Sequence, residues 1–290
     1  MSAIMSNRIV YVPFDHLNRH RGALRTAVPG VDTIVLVESR RMTTGRPWHP
    51  ERLFFLVSSA RHFAAELRTE GFDVRYVVAD TTIDGLEAVR SDIGPMPVIC
   101  AEPSSYRQMR DLTAWGAQMV PNDFFLTSRP LFAEWAGGQK TFVMENFYRA
   151  QRLRLGILVP GGKPEGGQWN YDAENRLSPP KNYTWPPYLE HERDDIDREV
   201  AAELGHEPTT TWATTRAGAL RQLNRFIDVH LAGFGPYEDA ITDDNWALHH
   251  SLLSPYLNNG LLHASEVIKA VLAAYRGGAP IASVEAFVRQ

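Results

Sequence analysis

The feature that most constrains this chain is an alternation, across its first 125 residues, of short β-rich apolar runs with stretches of helical periodicity. Strand-type runs fall at residues 8–13, 33–37, 74–78, 98–100 and 118–120, and helical segments separate them. Parallel neighbours need a long crossover, usually a helix, so this order predicts a parallel sheet covered by helices. The clearest helix is expected over residues 50–70, where Leu53, Leu56, Val57, Ala60, Phe63, Ala64 and Leu67 recur at the spacing of one buried face. Gly71 follows as a helix-ending residue.

Beyond Pro121 the texture changes. Residues 160–187 carry too much Gly and Pro for regular structure. Their aromatic residues, Trp169, Tyr171, Tyr183 and Trp185, with Tyr188 just after, argue against a disordered linker and for an ordered connection lying on a protein surface. The charged run at 190–199 reads as the solvated face of an opening helix. From Thr215 the apolar positions are helical in period: Ala219, Leu220, Leu223, Phe226 and Ile227, then Val267, Ile268, Val271 and Leu272. The expected organisation is an α/β domain at 1–125, a connection at 126–200 and an all-α region at 201–290. The last ten residues read as a helix capped by Ser283 with Val284 and Phe287 on one face, running to Gln290 without a terminator. Short helices need packing partners, so a chain cut within a longer domain is expected.

Composition excludes several function classes. A formal charge of −4 argues against holding nucleic acid by bulk electrostatics, so any DNA contact must be a local patch. The basic residues are arginines apart from Lys140, Lys163, Lys181 and Lys269, and the densest group is Arg149, Arg152 and Arg154, which solvated helix charges explain equally well. Cys100 is the single cysteine, which excludes an internal disulfide and any cluster held by four thiolates of this chain, and fits a reducing, cytoplasmic setting. No segment approaches the apolar length of a membrane span. No HExxH, Cys/His spacing or GxSxG occurs, so neither a metal site nor hydrolase chemistry is expected, and the adjacent His249 and His250 cannot share one helix face.

In a parallel α/β sheet, ligands are expected beyond the carboxyl ends of the strands. There the first strand leads into Phe14-Asp15-His16-Leu17, the second ends at Glu38 and the fourth at Glu102. No GxGxxG follows the first strand, and Asp15 and Glu38 read as well as helix caps or surface charges as ligand contacts. In HHSLLSPYLNNGLL, residues 249–262, the hydroxyls of Ser251 and Ser254 precede Pro255. A helix start with serine hydroxyls suits phosphate oxygens, and it also describes an ordinary N-cap ahead of a Leu-lined core face.

The order of Tyr237 and then HSLLSPYL at 250–257 resembles the flavin-phosphate signature of the photolyase/cryptochrome superfamily, a tyrosine upstream of TSxLSPYL. His250 in place of Thr is similar to the bacterial iron–sulphur branch. ARHFAAEL at 60–67, MENFYR at 144–149, GGQWNYDAENR at 166–176 and FGPYEDAI at 234–241 resemble that branch as well, so the likeness runs the length of the chain.

The resemblance implies a Rossmann-like antenna domain, a long connection and a helical FAD domain. It implies FAD phosphates held by Tyr237, His250, Ser251, Leu252, Leu253 and Ser254, and a lumazine-type antenna chromophore at Asp15, Leu17 and Glu38. Asp15 and Leu17 match the family's GDQL-like sequence, whereas Phe14 and His16 depart from it. The parent activity implied is light-driven repair of pyrimidine dimers in damaged DNA, of the (6-4) type. The family's GWRE-type helix, isoalloxazine contacts, catalytic histidine and the cysteines of its 4Fe-4S cluster would follow Gln290. The expectation is therefore a partial FAD site, no catalytic residue, no metal ligand, and a monomeric chain inactive by itself. A blue-light receptor on the same scaffold, and a short nucleotide- or partner-binding protein without photochemistry, are the alternatives.

Overall fold

In the computed structural model, residues 7–290 are described. Five strands occur among them: β1 (Ile9–Tyr11), β2 (Thr33–Ser39), β3 (Asp73–Ala79), β4 (Val98–Ala101) and β5 (Gln118–Val120). The helices are α1 (Arg40–Thr43), α2 (Pro50–Thr69), α3 (Thr82–Ile93), α4 (Tyr106–Trp115), α5 (Arg129–Gly137), α6 (Met144–Leu155), α7 (Asp195–Leu204), α8 (Arg216–Arg225), α9 (Leu231–Phe234), α10 (Ser254–Asn259), α11 (Ala264–Arg276) and α12 (Ile281–Arg289). A π-helical turn, Phe226–His230, joins α8 to α9. No helix of the described residues is long and apolar enough to cross a membrane.

The chain forms two compact units, each discontinuous in sequence. The first contains the residues up to Phe125 together with Glu190–Ala219 and Pro255–His263. Its sheet is wholly parallel, in the order β3-β2-β1-β4-β5, with Ile9 paired to both Thr33 and Val98. Strand alternation sends Ile9, Tyr11, Val35 and Val37 to one face, where they pack with Leu86 and Val89 of α3 and Leu112 of α4. The opposite parity, Val10, Ile34 and Leu36, is equally buried, as expected for inner strands of a parallel sheet covered on both faces. β1 is shorter than the apolar run at 8–13 suggests, because its ladder ends at Tyr11 while Val12 and Pro13 remain buried.

Helix α2 packs on β2 and β3 and also against α7. Pro50 at its first position suits a site where an amide would lack an intrahelical partner. At the other end Gly71, at φ 87°, lets its own amide reach the Arg68 carbonyl and the Phe72 amide reach that of Leu67, the paired bonds of a left-handed helix stop. Glu51 is buried in the first turn of α2 and accepts from His206 Nε2 at 2.9 Å, Thr209 N at 3.1 Å and Thr209 Oγ1 at 2.8 Å. Burial alone would raise its pKa; these donors outweigh it and hold the carboxyl below its ordinary value.

The second unit comprises Leu126–Leu189, Leu220–Ser254 and Ala264–Gln290. Within it, residues 160–189 contain only three short 3-10 turns. Phe226, Phe234 and Phe287 pack ring to ring, joining the π turn, α9 and α12. Ser283 does not cap α12, which starts at Ile281 after Pro280. Its hydroxyl is instead fully buried one turn in, accepting from the Gly235 amide and donating to the Ala232 carbonyl, both at 3.1 Å. Tertiary burial overrides the local capping preference there.

Candidate functional site

The 249–254 segment lies in the second unit, between the helical turn that ends at Phe234 and α10. Leu248 and Leu252 both take positive φ, 47° and 56°, a conformation that costs a branched side chain roughly 1–2 kcal/mol. Such backbone persists only where its surroundings impose it. Three bonds impose this one. The Asn245 side chain accepts from Leu248 N at 2.7 Å; Ser251 Oγ accepts from Leu253 N at 3.3 Å; and Gln222 Nε2 of α8 donates to the Ser251 carbonyl at 3.0 Å. Leu253 is buried, while Ser251 and Leu252 are half-buried and Ser254 is exposed as it opens α10.

Tyr237 reaches this loop through its neighbour. Its ring stacks on His249 at 6.0 Å and 20°, and Tyr183 and Trp185 of the connection close round both, at 5.3 and 5.8 Å from Tyr237. The Tyr183 hydroxyl and His249 Nε2 are 2.9 Å apart. Gly233 makes room for this box, since a Cβ there would sit 2.6 Å from the imidazole. His250 turns the other way, its ring 6.5 Å from Phe234. Burial lowers the pKa of His250; burial lowers that of His249 against the opposing pull of its bond with the His230 backbone; and burial, His249 and Arg225 push His230 down to about 4. All three are therefore uncharged at neutral pH, and the loop presents neutral donors rather than cations. The aromatic density of the connection was legible in sequence; its landing on His249 and Tyr237 was not, because Tyr183 and His249 are 66 residues apart.

The strand-end residues lie in the first unit and are placed differently from one another. Glu38 accepts from the Tyr76 hydroxyl at 2.5 Å and from Arg61 at 3.3 Å. Phe14 packs 6.1 Å from Tyr76, so the end of β1 and Glu38 share a wall. Asp15 is half-buried, whereas Leu17 is fully buried with its amide bonded to the Asn259 carbonyl at 2.9 Å. His16 is buried in a stack with Phe124 at 4.2 Å.

The arginine group of α6 is no open phosphate patch. Arg152 is buried and donates to the carbonyls of Ile157, Leu158 and Trp169. Arg149 pairs with Glu145 at 2.8 Å, and Arg154 donates to Gln151 and the Leu126 carbonyl. Cys100 lies in the sheet core, where burial pushes its thiol up to about 12, so the residues present do not fit a thiolate cluster.

Residues 10–217 match the model of the deoxyribodipyrimidine photo-lyase-related protein family. The chain belongs to that family. It is 36% identical to a (6-4) photolyase of Agrobacterium fabrum over 305 aligned positions, which cover 98% of this chain and 60% of the relative. In fold it is similar to a bacterial class III photolyase from Agrobacterium tumefaciens (TM-score 0.60, 19% identity, all of this chain and 57% of that one). It is also similar to a Synechocystis cryptochrome (TM-score 0.57, 16% identity, 99% and 59%). This photolyase-related chain thus spans about 60% of the length of the curated relative it matches. The α/β class and parallel sheet expected from the strand–helix alternation are those of this family's N-terminal part.

Proposed function

We propose that this photolyase-related chain holds the diphosphate of FAD through Tyr237 and residues 250–254, as part of a flavoprotein whose reaction is light-driven repair of (6-4) photoproducts in DNA. The observation that carries this reading is the 249–254 loop, in which Leu252 takes a strained left-handed conformation next to the Ser251 carbonyl that Gln222 holds, and which Tyr237 walls through His249. Strain maintained by surrounding bonds is characteristic of ligand-clamping backbone. Ser251 and Ser254 offer hydroxyl donors, and His250, kept neutral by burial, offers a ring N–H without fixing a positive charge there. When bound, reduced FAD supplies the photoexcited electron; this chain's residues bind, orient and partly enclose it. In the same reading Asp15 and Glu38 offer carboxylates to a lumazine-type antenna chromophore, with Leu17 supporting the wall from the core side. Sequence-level support comes from the 36% identity to a protein named as a (6-4) photolyase.

Calorimetric titration with FAD and with riboflavin tests the diphosphate assignment. FAD is expected to bind at least roughly tenfold more tightly than riboflavin, and Ser251→Ala with Tyr237→Phe to erase the difference. Equal affinity for the two flavins, or FAD binding that ignores both substitutions, overturns it. Illumination of the full-length flavin-loaded parent protein with an oligonucleotide carrying one (6-4) lesion tests the reaction. Absence of light-dependent restoration reassigns the scaffold to photoreception.

A further inference from the structure

A chain with a net charge of −4 meets a polyanion only through a local basic patch. Helix α6 supplies none, because its arginines are spent on backbone carbonyls, Glu145 and Gln151. The segment that follows β2 does. Between Ser39 and Arg52 stand four arginines, Arg40, Arg41, Arg46 and Arg52, against a single acid, Glu51. Glu51 is buried and held by His206 and Thr209, so its charge does not face solvent beside them. All four arginines are exposed, and among the described residues Arg41, Arg46 and Arg52 pair with no carboxylate. Arg40 pairs with Asp80 at 2.9 Å, but the two side chains are 60% and 77% exposed, where an ion pair contributes little and exchanges for a competing anion.

Hydrogen bonds fix the backbone that carries these charges. Ser39 Oγ accepts from Met42 N at 3.3 Å, the Arg41 amide donates to the Asp80 carbonyl at 3.0 Å, and Trp48 Nε1 donates to the Met42 carbonyl at 2.7 Å, which closes the loop between α1 and α2. The guanidiniums of Arg52 and Arg46 lie over the Trp48 ring, 4.4 and 5.9 Å from its centre. Cation–π contact restrains these two long side chains in advance, so less rotamer freedom is lost when they engage a ligand.

The chemistry of the patch selects phosphate. A guanidinium presents a planar fork of donors that matches phosphate oxygens, and it is more weakly hydrated than an ammonium. A membrane surface would call for apolar side chains projecting beside the charges, whereas Met42 and Trp48 are half-buried and guanidiniums lie over the Trp48 ring. Trp48 is engaged by its own chain and not offered to a base, so the contact is to the backbone of a nucleic acid and carries no sequence information. We propose that Arg40, Arg41, Arg46 and Arg52 form a sequence-independent docking site for the phosphate backbone of DNA. The choice of DNA rests on the reading given under Proposed function, but undamaged DNA needs no flavin to bind here, so either assignment can fail while the other stands. Density of arginine along the chain pointed to α6; accessibility points to the segment after β2.

Fluorescence anisotropy of a labelled, undamaged DNA duplex, titrated with the whole chain over a range of salt concentrations, tests the site. Affinity is expected to fall with salt, with a log–log slope of roughly −0.9 per phosphate neutralised. The triple variant Arg41→Gln, Arg46→Gln, Arg52→Gln should bind at least roughly tenfold more weakly at low salt and flatten the slope by about 2–3. Its melting midpoint should match wild type, since the three side chains are exposed and pair with no carboxylate. Lys140→Gln with Lys163→Gln removes two exposed charges elsewhere and should leave the slope unchanged. Absence of binding at low salt, equal losses in the two variants, or binding of phosphatidylglycerol vesicles but not of the duplex overturns the proposal.

Discussion

The two units solve the problem of cohesion by different means. The sheet unit rests on strand residues buried on both faces, Ile9, Ile34, Leu36 and Val35 among them, and Phe54 of α2 is fully buried under Arg193. The second unit has an apolar core as well, with Phe226, Leu231, Val271 and Val284 in it, and sets a buried ionic network beside that core. Glu285 of α12 is fully buried and accepts from the Tyr148 hydroxyl at 2.6 Å and the Tyr171 amide at 3.0 Å, while Arg289 bridges Asp172 and Glu238. Burial raises the pKa of Glu285 despite those donors. Apolar burial is non-directional and insensitive to pH, whereas a buried polar network is specific and loses much when one member goes. The 249–254 loop belongs to the second unit.

Four measurements can break or sharpen this contrast. Phe54→Ala removes a fully buried ring from the sheet unit and is expected to cost about 3–5 kcal/mol in chemical denaturation. A loss well under 1 kcal/mol would show that the sheet unit does not rest on its apolar core. Glu285→Ala strips an acceptor from Tyr148 and Tyr171 and should cost about 2–4 kcal/mol, with greater proteolytic exposure of residues 160–189. If denaturation of this variant matches wild type, the polar network is dispensable.

Acidification acts on buried histidines of both units, His16 in the first and His230, His249 and His250 in the second, whose pKa values burial lowers. His230 is neutral in the fold with its pKa pushed down to about 4, against an ordinary value near 6.5. The unfolded chain therefore takes up the proton first, and the stability contributed is complete above about pH 6.5 and drains away as pH falls toward 4. The loss should be on the order of 1–3 kcal/mol, read as a falling melting midpoint, and His230→Phe should flatten the slope. A pH-independent midpoint over that range counts against a buried neutral His230. The smallest effect is local: Thr81 and Asp84 form a reciprocal capping box on α3, so Thr81→Ala should cost only about 1 kcal/mol and leave flavin binding unchanged.

Legibility followed the range of the interactions. The parallel sheet, α2 and its stop at Gly71 could be read directly, because period and punctuation are written in neighbouring residues. The loop at 250–254 was likewise visible as a string. Less visible was anything that depends on a partner far along the chain. Ser283 carried a capping signature yet became a buried bridge to Gly235. Arg152 carried a solvated-helix signature yet became the hub of three carbonyls.

By itself, the sequence determined that a parallel α/β sheet comes first, that a Gly- and Pro-rich but aromatic connection follows, and that a family-specific serine loop lies near the end. Local periodicity, turn chemistry and motif order are properties of short segments, and they survive without coordinates. Only the tertiary structure decided that Tyr183 and Trp185 wall His249, that Glu38 is shared by Tyr76 and Arg61, and that His62 meets Asp194 and Asp197. Those meetings join residues tens to more than a hundred positions apart. They are set by which buried polar groups can find partners once the chain has collapsed, and no local pattern encodes that.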